Sequence, residues 1–306
     1  MPKLLLAALA ALLLSACEQP PEQTNRILVV RCGNLIDGLA DEALGGRTVI
    51  VENERIAALK PLDAPVPEGA ELLDLSDATC LPGLIDTHTH IALNHDDSSD
   101  LTVYYKRTMA DNMAITVANA DVTLKAGFTT IRNVGDYFPE AILEARKKIR
   151  AGEIPGPRIQ TAGSYLTIPG GGGDLVVPGH DDSEIPPGIR IGVARGPEAF
   201  AAATQQILDN GADMIKIIAS GAVFAFGGVP GAPEMTPQEI AAVVEVAHAA
   251  GVKVTAHAHG AQSIKDAILA GVDSIEHASL GDDEAVALAA EHGVAFSMDV
   301  YNGTFT

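Results

Sequence analysis

The chain of 306 residues is 47% hydrophobic and 20% charged, a composition that can bury a large core and is typical of a compact globular protein. Its formal net charge is −20 and it has no extended cluster of lysines and arginines, which argues against a nucleic-acid partner. Tryptophan is absent and aromatic residues make up 4% of the chain, so an aromatic-lined groove for carbohydrate or nucleic acid is not expected.

Residues 1–25 have the features of an export signal followed by a tether. Lys3 supplies a positive charge, residues 4–14 form an apolar run too short for a comfortable transmembrane helix, and "LSAC" is a small-residue cleavage site. The segment resembles a bacterial lipoprotein signal, in which Cys17 becomes the lipidated first residue and "EQPPEQTN" a tether. Ordinary secretion after the same signal is the alternative. In both cases we expect export, to the periplasm or to a lipid anchor in the outer membrane.

Residues 26–80 predict a small β-domain. Its strand-forming segments, "RILVVRCGNLIDG", "GRTVIVENERIAALK" and "GAELLDLSDATCLPG", are punctuated by Gly and by Asn or Asp. Cys32 and Cys80 lie in the first and last of these segments. An oxidising compartment permits a disulfide between them, and two buried free thiols are the alternative. Without a CxxC motif, a cysteine-based zinc site is not expected.

Residues 81–306 predict an α/β unit in which strands and helices alternate. Seven strand segments are found: "GLIDTHTH", "FTTIRNVG", "PRIQTAG", "ADMIKIIASG", "VKVTAHAHG", "VDSIEHASL" and "VAFSMDVYNG". Such units imply parallel strands with right-handed crossovers. A doubly wound sheet would carry a Gly-rich phosphate loop after its first strand, where this chain has His88 and His90. The pattern therefore favours a (β/α)8-type barrel.

Two pairs of histidines end predicted strands. His88 and His90 end the first strand, and His257 and His259 end the fifth. Residues two apart on a strand point to the same side, and two neutral imidazoles directed at one point suit a transition metal. A pair of solvated or hydrogen-bonded histidines is the plainer interpretation of one such motif alone. Because the active sites of barrels lie at the carboxyl ends of the strands, we expect the two pairs to share one site.

Strands four and six carry further candidates. Lys216 lies in the apolar segment "DMIKIIAS", where a buried ammonium is costly unless it is paired or modified. A buried stem whose amine reaches a partner is one interpretation. Alternatively, carbon dioxide adds to the uncharged amine and gives an anionic carbamate that can bridge two divalent ions. At the end of strand six, alternation places Glu276 and His277 on opposite faces.

These motifs, in this order, resemble the amidohydrolase superfamily, and most closely its imidazolonepropionase-like and Xaa-Pro dipeptidase-like branch of metal-dependent hydrolases. The resemblance rests on "GLIDTHTH", Lys216, "VTAHAHG" and "GVDSIEHASL", and extends from about residue 26 to the end. It implies a centre of two divalent zinc ions, held by His88, His90, a carboxylated Lys216, His257 and His277. By analogy with relatives His257 is the strand-five ligand and His259 faces the substrate, while the reverse assignment stays open.

The chain departs from the family pattern in two places. The superfamily's last ligand and proton shuttle is an aspartate at the end of strand eight, whereas this sequence stops at Thr306 after strand seven, and Asp299 is a poor substitute. The expectation is therefore a barrel truncated after strand seven, either a fragment or impaired in function. In "TIPGGGGDL", Gly172 takes the place of a histidine found in relatives. The Gly run either directs backbone N–H groups at a carboxylate or oxyanion, or forms a flexible lid.

The resemblance implies a hydrolase that cleaves amide or peptide bonds with a zinc-activated hydroxide. Dipeptides and N-acyl amino acids, including aromatic amides such as ochratoxin, are the expected small-molecule substrates. His259 and Tyr301 are candidates for oxyanion or substrate contacts, and Arg132 for binding a substrate carboxylate. The alternatives are a cyclic-amide hydrolase or deaminase of the same superfamily, and a non-catalytic metal-binding lipoprotein or inactive fragment. The only membrane contact expected is the lipid anchor on Cys17, and a homo-oligomer is compatible with the sequence.

Overall fold

A computed structural model describes residues 26–223 and 228–298, and the chain divides after Pro82 into two compact units. The predicted signal and tether, Asp299 and Tyr301 lie outside the described residues. No helix within the described ranges combines the length and the apolar character needed to cross a membrane.

The N-terminal unit is a four-stranded mixed sheet with the order β3-β2-β1-β4. Its strands are β1 (Ile27–Leu35), β2 (Leu44–Glu52), β3 (Arg55–Pro61) and β4 (Glu71–Cys80). β1 and β2, and β2 and β3, pair antiparallel, whereas β1 and β4 pair parallel. The two-residue turn between β2 and β3 contains Asn53 at a φ of 57°, a left-handed conformation that asparagine tolerates in such hairpins.

Cys32 and Cys80 form a disulfide in this unit. Their Cα atoms are 5.7 Å apart because β1 and β4 are neighbours in the sheet, and Cys32 is fully buried. Of the two alternatives that the sequence left open, the disulfide is the one that the structure contains.

The second unit contains the seven predicted strands in chain order, and the pairings between its described strands are parallel. The third strand is interrupted near Gly163, which has a φ of 66°, so its first part pairs with strand two and its second part with strand four. The strand segments are β5 (Leu84–Thr89), β6 (Phe128–Asn133), β7 (Arg158–Thr161), β8 (Tyr165–Leu166), β9 (Ile215–Ile218), β10 (Val254–Gly260), β11 (Ser274–Leu280) and β12 (Ala295–Ser297). They form two runs, β5-β6-β7 and β8-β9-β10-β11-β12.

Helices separate most of these strands, as predicted for βα units. They are α1 (Val103–Lys106), α2 (Met109–Lys125), α3 (Pro139–Arg150), α4 (Pro197–Asp209), α5 (Pro237–Ala249), α6 (Ala261–Leu269) and α7 (Asp283–His292). α5 begins with a capping box in which the Thr236 hydroxyl accepts from the Glu239 N–H and the Glu239 carboxylate accepts from the Thr236 N–H.

The main core of this unit lies between β8–β11 and the helices α4–α7. Every residue of β9 is buried, and Phe200 of α4, Ile240 of α5 and Ile264 of α6 are fully buried in the same cluster. Burying each such side chain stabilises the fold by about 1.5–3 kcal/mol. The strands are therefore firmly held, and the side chains at their carboxyl ends have fixed positions.

Candidate metal centre

Five histidines from three strands converge at one place. The ring centroids of His88 and His277 are 4.7 Å apart, and those of His257 and His277 are 4.5 Å apart. His90 lies 5.2 Å from His88, and His259 lies 4.6 Å from His257 and 4.9 Å from His277. The structure thus brings together all five histidines that the sequence analysis selected.

The histidines of β10 and β11 form the tightest part of this cluster. Ligand nitrogen atoms of His257, His259 and His277 all lie within 4.8 Å of one another. The Nε2 atom of His257 is buried and has no hydrogen-bond partner among the residues that the structure describes. Burial, reinforced by the charge of Lys216, holds the pKa of His257 well below its usual range. His257 is therefore a neutral imidazole, the form that binds metal ions.

His88 and His90 are each held through the Nδ1 atom. His88 Nδ1 lies 2.7 Å from Oε2 of Glu276, and His90 Nδ1 lies 2.7 Å from the carbonyl oxygen of Gly135. A carbonyl oxygen only accepts, so the proton of His90 is on Nδ1 and the lone pair is on Nε2. Burial and the charge of His88 lower the pKa of His90 to about 3. Such partners of the second ring nitrogen are typical of metal-ligating histidines.

Gly135 and Tyr165 form one wall beside His90, and the sequence analysis did not select either of them. Gly135 has a φ of 114°, and a Cβ atom there would lie 2.7 Å from the Tyr165 ring, so only glycine fits. The Tyr165 hydroxyl lies 3.3 Å from His90 Nδ1, and burial raises its pKa, which keeps the phenol protonated. The sequence offered no signal for Tyr165, because its place beside His90 depends on the break in the third strand, which only the structure shows.

Lys216 lies on β9 and is close enough to the histidines to affect their pKa values. It is 2% exposed, and in the sheet register it lies opposite Thr255 on one side and Tyr165 on the other. Its charge contributes to the low pKa values of His90 and His257, after the larger effect of burial. The predicted lysine is therefore in the same site as the histidines.

The prediction that Glu276 and His277 lie on opposite faces is wrong. His277 and Ala278 have φ values of 72° and 53°, in the left-handed region, which interrupts the alternation of a regular strand. As a result both Glu276 and His277 contact His88. Left-handed conformations at residues other than glycine carry strain and are concentrated at functional sites.

Arg132 contacts groups within the barrel. Its Nε donates to the carbonyl oxygen of Thr87 at 2.6 Å, its Nη1 to the hydroxyl of Ser274 at 3.1 Å, and its Nη2 to the Glu276 carboxylate. These partners all belong to the protein, whereas the sequence analysis gave Arg132 a substrate carboxylate as partner, and that role stays a prediction. Tyr301, the other candidate for a substrate contact, lies outside the described residues.

The Gly-rich segment is tied down by hydrogen bonds to its own chain. The N–H of Gly172 donates to Glu234 Oε2 at 2.8 Å, and the N–H of Gly170 donates to Asp174 Oδ2 at 2.9 Å. Burial raises the pKa of Glu234, and the Gly172 N–H opposes this effect. A Cβ atom at Gly172 would lie 2.8 Å from that of Ala222, so this position has no room for a side chain. The acceptors of these backbone donors are carboxylates of the protein itself, and a role of the run in binding a substrate carboxylate or oxyanion stays a prediction.

A barrel of parallel strands with a histidine-rich cluster at their carboxyl ends defines a class of metal-dependent hydrolase folds, and comparison with known proteins gives the family. Residues 79–304 match the model of the Amidohydrolase family. The chain therefore belongs to the amidohydrolase family.

Known relatives agree with this assignment. Ochratoxinase from Aspergillus niger is 28% identical over 287 residues, which cover 89% of this chain and 58% of the relative. Among solved structures, a Xaa-Pro dipeptidase with methionine bound in its active site has a TM-score of 0.81 and 34% identity over 88% of this chain and 66% of its own. The crystal structure of A. niger ochratoxinase has a TM-score of 0.78 and 27% identity over 89% and 64%. The chain thus spans about three-fifths of the length of the ochratoxinase.

Proposed function

We propose that this protein hydrolyses an amide or peptide bond in a small molecule of the dipeptide or N-acyl amino acid type. The observation that carries the proposal is the convergence of five histidines close to the buried Lys216. The similarity to a Xaa-Pro dipeptidase and to an ochratoxinase supports an amide bond as the target. Substrates with an aromatic group next to the amide, such as ochratoxin, fall within this class.

The residues present fit a centre of two divalent zinc ions. The orphaned Nε2 of His257 suits a metal ion, and the partners of Nδ1 in His88 and His90 are of the kind that orients metal-ligating histidines. We propose that His88 and His90 bind one ion and that His257 and His277 bind the other. When bound, such ions polarise a carbonyl group and lower the pKa of a coordinated water molecule.

Lys216 fits this centre only if its positively charged ammonium is replaced by a negatively charged group. A buried ammonium beside five imidazoles repels a metal ion. The neutral amine attacks the carbon of CO₂, a C–N bond forms, one proton is released, and the product is an anionic carbamate. The carbamate would supply two oxygen ligands, so we propose that Lys216 in this form would hold the metal centre together with the histidines.

Two other side chains would act on the substrate. The backbone N–H of His259 donates to the Ser220 hydroxyl at 3.0 Å, and its Nδ1 lies 3.0 Å from the Ser279 hydroxyl, which orients the ring. Tyr165 stays protonated, because burial raises its pKa, and can donate a hydrogen bond. His259 and Tyr165 would therefore orient the amide and stabilise negative charge that develops on its oxygen.

A second candidate is the hydrolysis of a cyclic amide. It is favoured by one observation: the three nitrogen atoms of the Arg132 guanidinium donate to Thr87, Ser274 and Glu276. With this cation engaged inside the barrel, a substrate without a free carboxylate would suit the site as well as a dipeptide.

The test combines metal analysis with a substrate screen. We expect about two zinc ions per purified chain, as in other two-metal hydrolases. We also expect release of amine from at least one of a panel of Xaa-Pro dipeptides, N-acyl amino acids, ochratoxin and cyclic amides. Lys216→Ala should lose zinc and activity, whereas Lys125→Ala, a matched change of an exposed lysine on α2, should retain both. A wild-type chain without stoichiometric zinc, or a Lys216→Ala variant with full activity, would contradict the proposal.

A further inference from the structure

We propose that Glu276 is a positioning residue that orients His88 for metal binding, an inference that rests on the proposed function. Glu276 is fully buried, and its Oε2 atom lies 2.7 Å from His88 Nδ1. Its Oε1 atom accepts hydrogen bonds from Arg132 and from the Thr255 hydroxyl. One carboxylate thus links β11 to β5, β6 and β10 directly behind a predicted metal ligand.

The carboxylate is kept ionised although it is buried. Its Oε1 atom faces the guanidinium of Arg132, a permanent cation, and also accepts from the Thr255 hydroxyl. Arg132 is itself held by the Thr87 carbonyl and the Ser274 hydroxyl. A buried charge is stable only with such a partner and further hydrogen bonds.

An ionised carboxylate accepts hydrogen bonds and cannot donate one. The His88 Nδ1 atom must therefore carry a proton, which places the lone pair of the ring on Nε2, the nitrogen that would bind a metal ion. His90 has a neutral carbonyl in the equivalent place, and His259 has a hydroxyl. Charged acceptors form the stronger hydrogen bonds, so His88 has the strongest support among these three rings.

The left-handed backbone of β11 makes this arrangement possible. In a regular strand, a Glu276 side chain directed at His88 would force His277 to the other face. The φ values of His277 and Ala278 bring both side chains to the same cluster. Such conformations carry strain. The same strand thus supplies one predicted ligand and the support of another.

The test is the zinc affinity of Glu276→Gln, measured by competition with a chelator. Loss of this kind of partner costs 10–100-fold in metal affinity, and we expect a decrease of about that size. Thr255→Val is the matched control, because it removes a different hydrogen bond from the same carboxylate and leaves the contact with His88. In a His88→Ala background, Glu276→Gln should cause no further loss, since the two residues act as one unit.

A second readout needs no metal. In the zinc-free protein labelled with ¹⁵N, the His88 Nδ1 proton should give a hydrogen-bonded NMR signal that is present in Thr255→Val. It should be absent from Glu276→Gln, because the single amide oxygen faces the two donors Arg132 and Thr255, which leaves the NH₂ group towards His88. His88→Ala assigns the signal. If the Gln variant fails to fold, Glu276→Asp keeps the charge beside Arg132 and withdraws the carboxylate from His88 by one methylene length, with the same loss of affinity expected.

The outcomes separate this inference from the proposed function. A wild-type chain that binds zinc and a Glu276→Gln variant with equal affinity would overturn the role of Glu276 alone. Equal losses of affinity in Thr255→Val and Glu276→Gln would also overturn it, because they indicate a purely structural effect. A wild-type chain that binds no zinc would overturn both, whether or not the Nδ1 proton signal is present.

Discussion

His257 and His259 share one face of β10 and differ in what surrounds them. The Nε2 atom of His257 is buried without a hydrogen-bond partner in the described part of the chain, whereas His259 is oriented by the hydroxyls of Ser220 and Ser279. An orphaned buried nitrogen is costly unless another ligand, such as a metal ion, satisfies it. This difference favours His257 as the ligand and His259 as the residue that faces the substrate.

Single substitutions at these two positions test the assignment. His257→Ala should lower the zinc content by about one ion per chain, because the second ion of a two-metal site loses a ligand. His259→Ala should keep its zinc and lose activity by about 10²-fold or more, the usual effect of removing one group that stabilises the transition state. Elemental analysis and kcat measure the two effects. If His259→Ala loses zinc and His257→Ala does not, His259 is the metal ligand and His257 faces the substrate.

Residue types and spacing were sufficient to select the histidine cluster, because strands of period two place residues i and i+2 together. The same rule failed at Glu276 and His277, because a left-handed backbone is a tertiary feature that the residue types did not reveal. It also could not find the partner of Arg132, which depends on how β6 and β11 face each other across the barrel.

At the level of elements, the order and the parallel pairing of the strands followed from the alternation of apolar segments and helices. The break of the third strand into β7 and β8 did not, since it depends on a left-handed Gly163 and on the separate pairing of the two halves. The disulfide was left open for a similar reason. The parallel pairing of β1 with β4 brings Cys32 and Cys80 together across 48 positions of the sequence.

The left-handed backbone conformation at the end of β11 can be tested by substitution. A β-branched residue is strongly disfavoured at positive φ, so Ala278→Val should force the strand towards regular alternation and displace His277. We expect a loss of about 1–3 kcal/mol in stability and weaker zinc binding. Ala278→Gly, which tolerates the same φ, should retain zinc. Chemical unfolding measures the stability of the two variants, and elemental analysis measures their zinc content. Normal zinc binding in the Val variant would show that the left-handed conformation is not needed for metal binding.

The Gly-rich segment predicts a pH effect through Glu234. Its folded-state pKa is raised by burial, so the folded protein binds a proton more tightly than the unfolded chain. Stability should therefore fall as the pH rises from about 4.5, the usual value, through the raised pKa. Glu234→Gln removes this effect and keeps an oxygen that can accept from Gly172. Urea unfolding of both proteins between pH 4 and 7 measures it, and parallel pH profiles would refute the assignment.

At the level of the whole molecule, we propose that the protein is exported and lipidated at Cys17. The residues of the signal lie outside the described ranges, and the support comes from their sequence and from the disulfide, a bond typical of oxidising compartments. Mass spectrometry of the membrane fraction from a bacterial host should find a mature chain that begins at a lipid-modified Cys17. The control is the Cys17→Ser variant, which has no thiol to modify and should therefore give no lipid-modified chain. A wild-type chain that retains residues 1–16 would contradict the proposal.

The disulfide gives a quantitative expectation for the N-terminal unit. Closing a loop of 48 residues stabilises a fold by about 4 kcal/mol in the chain-entropy model, and observed values of 2–4 kcal/mol are typical. Protein from the periplasm should have neither thiol free, whereas protein made in a reducing cytoplasm should have both. The reduced form and a Cys32→Ala/Cys80→Ala variant should both be less stable than the oxidised protein by this amount. Urea unfolding, followed by a spectroscopic signal that comes from β1–β4, measures the difference. Because Cys32 is fully buried, the double variant also loses packing, so its stability should not exceed that of the reduced protein. Equal stability of the oxidised and reduced forms would mean that pairing of β1 with β4 alone holds the two strands together.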